Sequence, residues 1–219
     1  MNEIKLNKGQ QVVVDTIKEL IKNNENGFIT ISGGAGVGKT FSVKYALEEV
    51  LDSNFLAITP SHKACSVLSK SIGKHSVTLA SALGIRLNEF NGTFKPDPNA
   101  EKAIKGKRYI LIDEVSMVSG ELLKVIEKEK EPGALVVMMG DINQLPPVGS
   151  DKPSPAFTDY PVLYLTEIMR QNKDSSMVPF LLNIVGAIEE KNDFSMDKLN
   201  KKGSDMVYCF DLNETLSKF

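Results

Sequence analysis

Short unbroken apolar runs alternate along this chain with stretches in which apolar residues recur three and four positions apart. The runs occupy residues 28–31, 55–58, 109–112, 135–139 and 162–165. Continuous apolarity of that length suits strands buried on both faces, as in a parallel sheet covered by helices. Ahead of the first run, Asn7 and Gln10 have capping-box spacing. Val13, Val14, Ile17, Leu20 and Ile21 then repeat on one helical face, which predicts an amphipathic first helix. Helix-like segments at 63–71 and 120–130 complete a βαβα alternation. The expected fold is therefore α/β, a mainly parallel sheet with helices on both faces. Ligands of such sheets bind beyond the carboxyl ends of the strands, so chemistry is expected in the loops after the apolar runs.

One stretch breaks the alternation. Residues 86–96 place Asn91-Gly92, a strong two-residue hairpin signal, between the aromatics Phe90 and Phe94, and predict a β-hairpin inserted at about 84–98. Further on, 179–188 reads as a helix, 191–203 as a polar linker and 206–210 as a strand with little chain left to pair with it. The expected organisation is one domain over 1–190, then a linker and the start of an incomplete second domain over 191–219.

Composition narrows the picture only a little. A chain of 219 residues holds one large domain or a domain and a fragment, and a net charge of −2 offers no global attraction for nucleic acid. Any DNA contact must come from a local patch. Cys65 and Cys209 stand alone, without metal or redox spacing, as expected in a reducing compartment. The first residues lack the apolar core of a signal peptide and no run is long enough to span a bilayer, so a cytoplasmic protein without membrane contact is expected.

The loop after the first apolar run reads Gly33-Gly34-Ala35-Gly36-Val37-Gly38-Lys39-Thr40. This is the full P-loop pattern between a strand and a helix. Its glycines let backbone N–H groups turn toward phosphate oxygens, Lys39 is placed to reach the outer phosphates and Thr40 to hold magnesium. Asp113 and Glu114 close the run at 109–112. Adjacent carboxylates at a strand end in such a chain suit a metal ligand, Asp113, beside a group that orients or deprotonates water, Glu114. After the run at 135–139 comes Gly140-Asp141-Ile142-Asn143-Gln144-Leu145-Pro146-Pro147-Val148-Gly149, whose prolines stiffen a loop presenting Gln144, suited to sensing a terminal phosphate.

Together with Leu6-Asn7-Lys8-Gly9-Gln10-Gln11, Thr59-Pro60-Ser61-His62-Lys63-Ala64 and Leu165-Thr166-Glu167-Ile168-Met169-Arg170-Gln171, these stretches resemble, in order, the first motor domain of superfamily 1 DNA helicases of the RecD-like and Dda-like branch. The resemblance implies a RecA-like P-loop domain that uses ATP and Mg2+ to move on single-stranded DNA, 5′ to 3′. It implies that Gln10 reads the adenine edge, a role that coexists with helix capping. It also implies that Arg170 contacts the terminal phosphate, a finger whose loss typically costs ~10³–10⁵ in rate.

For DNA, the resemblance implies contacts from Thr59, Pro60, His62 and Lys63 to the translocation strand. It extends weakly to Thr78 and Ser81, because Ala80 stands where the family commonly has histidine. The hairpin falls where related enzymes carry a strand-separating pin. Phe90 or Phe94 could stack on a base at the fork or simply pack the hairpin onto the domain. The implied partners are single-stranded and forked DNA, a second RecA-like domain absent from this chain, and single-strand-binding or replication proteins. Two other classes stay open: a P-loop ATPase of another remodelling machine, and an ATP-gated DNA-binding module without motor activity.

Overall fold

The computed structural model describes residues 5–52, 54–88 and 93–169. Six strands form one sheet in the order β3-β2-β6-β7-β1-β8, every neighbouring pair parallel. They are β1 (Gly27–Gly33), β2 (Phe55–Thr59), β3 (Ser76–Thr78), β6 (Tyr109–Ile112), β7 (Leu135–Gly140) and β8 (Val162–Leu165). The five apolar runs all became strands. The sixth, β3, is polar at both ends, where Ser76 binds the Cys65 carbonyl and Thr78 caps a helix, so no hydrophobic pattern marks it.

Alternate residues of each central strand feed two cores, the physical reason for unbroken apolarity. On one face Ile29, Ile31, Ala57, Leu111, Val137 and Met139 meet α1 (Lys8–Lys22), α2 (Lys39–Leu47) and α3 (His62–Ile72). On the other face Leu56, Ile58, Ile110, Ile112, Val136 and Met138 meet α4 (Leu79–Leu83) and α5 (Gly120–Glu129). Helix α1 begins with the expected capping box: Gln10 N–H donates to Asn7 Oδ1 at 2.8 Å and Asn7 N–H to Gln10 Oε1 at 3.1 Å. Such caps are worth ~1 kcal/mol.

The insertion is present as an antiparallel pair, β4 (Ile85–Leu87) with β5 (Phe94–Pro96). Its register differs from a two-residue Asn91-Gly92 turn, which would set Leu87 opposite Pro96. Instead Leu87 faces Phe94, and Asn88 N–H donates to the Thr93 carbonyl at 2.8 Å. The connection is therefore four residues long, 89–92, and lies outside the described residues. At the root, Arg86 pairs with Asp97 at 2.9 Å.

The chain divides after Ile168 into two units, the first holding every element above. The second, Met169–Phe219, is outside the described residues apart from Met169. The expected helix at 179–188, linker, final strand and boundary at 190 fall there. No helix among the described residues is long and apolar enough to cross a membrane.

Candidate nucleotide site and DNA-facing edge

The P-loop bridges β1 and α2. A Cβ at Gly33 would run into the Leu165 carbonyl of the adjacent strand and lie 2.9 Å from Val37 Cγ2, so only glycine lets the loop turn that close to β8. Gly38 has φ +87°, and a Cβ there would strike the Gln10 amide. Four of the five described helices have a side chain bonding their first turn, from Asn7, Ser61, Thr78 and Ser119. Helix α2 is the exception: its N-cap is Gly38, with no side-chain bond. Its first-turn N–H groups and dipole are thereby left for an anion. Lys39 Nζ donates to the Gly33 carbonyl at 2.6 Å and the Gly34 carbonyl at 3.0 Å, which pins the ammonium at the mouth of the loop.

Gln10 is buried at 2% exposure, makes the expected capping box and adds a bond to the P-loop. Its oxygen completes the α1 capping box, while Nε2 donates to the Val37 carbonyl at 3.2 Å. The side chain so clamps the P-loop to α1 and retains one amide hydrogen for a base.

Strand β7 lies between β1 and β6. That puts the P-loop strand and Asp113 two spacings apart, about 10 Å, enough for a polyphosphate and an ion. Asp113 extends the ladder, donating its N–H to the Ile58 carbonyl at 2.9 Å. Burial holds its carboxyl above the usual carboxylate range, and the neighbouring Glu114 charge adds to this. The Glu114 N–H, bonded to Oδ1 at 2.9 Å, and the Lys39 charge oppose it. A half-buried carboxylate not fully compensated is what a cation would relieve, so Asp113 and Thr40 fit a divalent metal. Glu114 has φ +56°, a left-handed conformation costing about 1–2 kcal/mol in a residue with a Cβ. It turns the chain sharply off β6 into the 3₁₀ turn Val115–Met117. Strain of this kind clusters at functional sites.

Gln144 is tied to that turn: Ser116 Oγ donates to its Oε1 at 3.1 Å. The loop carrying Gln144 is further fixed by Asp141, whose Oδ1 accepts the Asn143 N–H at 3.0 Å and whose carbonyl accepts the Gln144 N–H at 3.1 Å. Asp141 Oδ2 stands 3.9 Å from where a Gly34 Cβ would sit. The structure thus brings Lys39, Asp113, Glu114 and Gln144 to one carboxyl edge, with Gly34, Ala35 and Gly36 in the P-loop and Thr40 in the first turn of α2. Sequence reasoning assigned nothing to Ser116, Asp141 or Ser32. Asp141 stood inside a quoted motif, where its bonds hold the loop's own turn, whereas the bond from Ser116 to Gln144 is tertiary. Ser32 Oγ, at the end of β1, is buried without a bond to any described residue.

The expected DNA residues follow β2 and β3 at the sheet edge. His62 and Lys63 are exposed in the first turn of α3, whose N-terminal dipole suits a phosphate, and Pro60 is half-buried beside them. Thr59 is fully buried, and its hydroxyl is engaged by the Ser61 carbonyl at 2.9 Å and by Cys65 Sγ at 3.0 Å. Its role visible here is to shape the turn. Thr78 is buried as the N-cap of α4, accepting from the exposed Ser81 at 3.2 Å. Phe94 is half-buried against the α4/α5 core and lines a cavity of about 330 Å³ with Leu83, Ile85, Pro96 and Val125. Phe90 and Arg170 lie outside the described residues.

A parallel sheet with a P-loop, an uncapped helix behind it and an acidic pair across one intervening strand defines a P-loop nucleotide-binding motor domain of RecA-like type. Residues 5–203 match the family model described as AAA domain. The ATP-dependent DNA helicase dda of Enterobacteria phage T4 is 32% identical over 180 residues, 76% of this chain and 40% of that protein. The ATP-dependent DNA helicase Pif1 of Bdellovibrio bacteriovorus is 33% identical over 166 residues, 68% of this chain and 34% of the relative. A solved structure of two coordinating Pif1 helicases at forked double-stranded DNA superposes with a TM-score of 0.61 at 25% identity, covering 90% of this chain and 51% of that one. Pif1 of Bacteroides sp. in complex with ADP-AlF4 shares the fold at a TM-score of 0.62 and 24% identity, covering 99% of this chain and 56% of its own. The chain belongs to this AAA domain family, as a superfamily 1 helicase motor domain similar to those of Dda, Pif1 and RecD2. It spans well under half the length of the curated relatives it matches.

Proposed function

We propose that this chain is the ATP-binding motor domain of a 5′ to 3′ DNA helicase that translocates on single-stranded DNA. The observation that carries the reading is the convergence of Lys39, Asp113, Glu114 and Gln144 on one sheet edge, behind a helix whose first turn is left open to phosphate. Thr40 and Asp113 would hold a magnesium ion, which would supply charge neutralisation for the transferred phosphoryl group. Lys39 and the α2 N-terminus bind the outer phosphates, Gln10 orients the base, and Glu114 positions and deprotonates the attacking water. Gln144, held by Ser116, relates the terminal phosphate to the turn after β6. Arg170 completes the charge stabilisation.

His62 and Lys63 at the start of α3 offer sequence-independent phosphate contacts, and Pro60, Thr59, Thr78 and Ser81 shape that edge. The relatives' greater length supports a second RecA-like domain closing over the nucleotide, with residues 1–190 as the first domain and 191–219 leading to the second. Single-stranded and forked DNA are the partners proposed, with single-strand-binding or replication proteins beyond them, in the cytoplasm.

The test is ATP hydrolysis by the complete polypeptide with and without single-stranded DNA. A helicase motor is stimulated by the DNA, and Glu114→Gln lowers turnover by ~10²–10⁴-fold while nucleotide still binds. Hydrolysis indifferent to DNA would instead identify a motor acting on protein.

A further inference from the structure

We propose that Ser116 is a positioning residue that sets the side-chain amide of Gln144 with its NH2 group toward the terminal phosphate, so that the site prefers a nucleoside triphosphate to a diphosphate. The proposal rests on the nucleotide site described above and on Gln144 meeting that phosphate. The backbone of the Gln144 loop is already fixed, because the Asp141 carbonyl accepts the Gln144 N–H at 3.1 Å and Asp141 Oδ1 accepts the Asn143 N–H at 3.0 Å. What those bonds leave free is the end of an exposed side chain. An amide is asymmetric, an acceptor on one side and two donors on the other, and phosphate oxygens only accept. Rotated half a turn, the same glutamine would set its oxygen against the phosphate and repel it.

Ser116 removes that ambiguity. It is 1% exposed, and its Oγ donates to Gln144 Oε1 at 3.1 Å, its one side-chain hydrogen bond among the described residues. Turning the amide over would bring NH2 to the hydroxyl and leave a buried O–H without an acceptor, which disfavours that rotamer by about tenfold. The hydroxyl is delivered by packing. Glu114, at φ +56°, turns the chain into the 3₁₀ turn that carries Ser116, and that turn lies against the end of β7. A Cβ on Gly140 would come within 3.2 Å of the Ser116 nitrogen and 3.0 Å of Val115 Cγ1, so glycine permits the approach just where the Gln144 loop departs. The far end of the loop is tied just beyond the same turn, since Ser154 Oγ donates to the Val118 carbonyl at 2.6 Å. Loop and turn are therefore held together at both ends, and the hydroxyl stays in reach of the amide.

The test is calorimetric titration of the chain with Mg·ADP and with Mg·AMP-PNP, a triphosphate that is not hydrolysed. Ser116→Ala should bind ADP as the native chain does and AMP-PNP about three- to tenfold more weakly. Ser116→Cys, which fills the same space with a weaker donor, should shift in the same direction with a near-native Tm, and it carries the test if the alanine variant does not fold. Gln144→Ala should lose at least as much AMP-PNP affinity, and the double variant no more than Gln144→Ala alone, because Ser116 acts only through that amide. Native AMP-PNP affinity in the Ser116 variants, equal losses for ADP and AMP-PNP, or losses that multiply in the double variant overturn the positioning role and leave the nucleotide site standing. Native AMP-PNP affinity in Gln144→Ala, or a native chain that binds neither nucleotide, would instead remove the terminal-phosphate reading itself and this inference with it.

Discussion

Gln10 belongs to two structures at once, and substitution can separate them. Glu at the same position keeps a capping box, because a carboxylate at the third helical residue accepts the same N–H, but it cannot donate to the Val37 carbonyl. Gln10→Glu should therefore retain the ~1 kcal/mol of capping stability that Gln10→Ala loses. Both variants should lose discrimination between ATP and pyrimidine triphosphates in competition binding. Asp113 illustrates the opposite tension. Its carboxyl is held above the usual range chiefly by burial, so its ionisation is less favourable folded than unfolded. Its contribution to stability is fully present below the unfolded value and is lost as pH rises through the folded one. Asp113→Asn should accordingly raise the Tm of the nucleotide-free protein at neutral pH, by ~2–4 °C for each kcal/mol recovered. That gain should vanish on acidification below the range where Asp113 ionises, and magnesium should no longer strengthen nucleotide binding.

Among the elements, the inserted hairpin is where local signals and packing part company. Asn91-Gly92 suggested a two-residue turn, yet the pairing of Leu87 with Phe94 shifts the register by two. Side-chain alternation is unchanged by a shift of two, so the pattern alone could not detect it. Phe94 rests against the α4/α5 core, which a local reading of flanking aromatics could not separate from a role at a DNA fork. Phe94→Ala should cost about 1–2 kcal/mol of stability, measured as a lower urea midpoint, because a half-buried ring leaves the core. An unchanged midpoint would show that the ring contributes no packing and return it to the fork. The short β3 and α4 were missed for a related reason: β3 has three residues with Ser76 and Thr78 at its ends, and α4 has only five, too few for its buried Leu79, Ala82 and Leu83 to establish a period.

For the molecule as a whole, the sheet order gathers the loops after β1, β6 and β7 at one carboxyl edge. A site that must open and close needs a second body against this edge. The chain as it stands is expected to bind Mg·ATP, to hydrolyse it slowly and to separate no strands in a forked-duplex assay. Robust unwinding by these 219 residues alone would show that one RecA-like unit suffices.

The order of apolar runs determined the strands, because a strand buried on both faces reads as a near-continuous apolar run; Thr30 is admitted inside β1 because its hydroxyl donates to the Ala156 carbonyl at 2.6 Å. The P-loop and the acidic pair were equally legible, since their chemistry needs particular residue types at fixed spacing. What only the tertiary structure decided are relations between distant positions. Gln10 lies under Gly38, Ser116 holds Gln144, and β7 stands between the P-loop strand and Asp113. Each joins residues whose local sequences carry no mutual signal, and they become neighbours only when parallel strands are brought together by helical crossovers that sequence spacing does not measure.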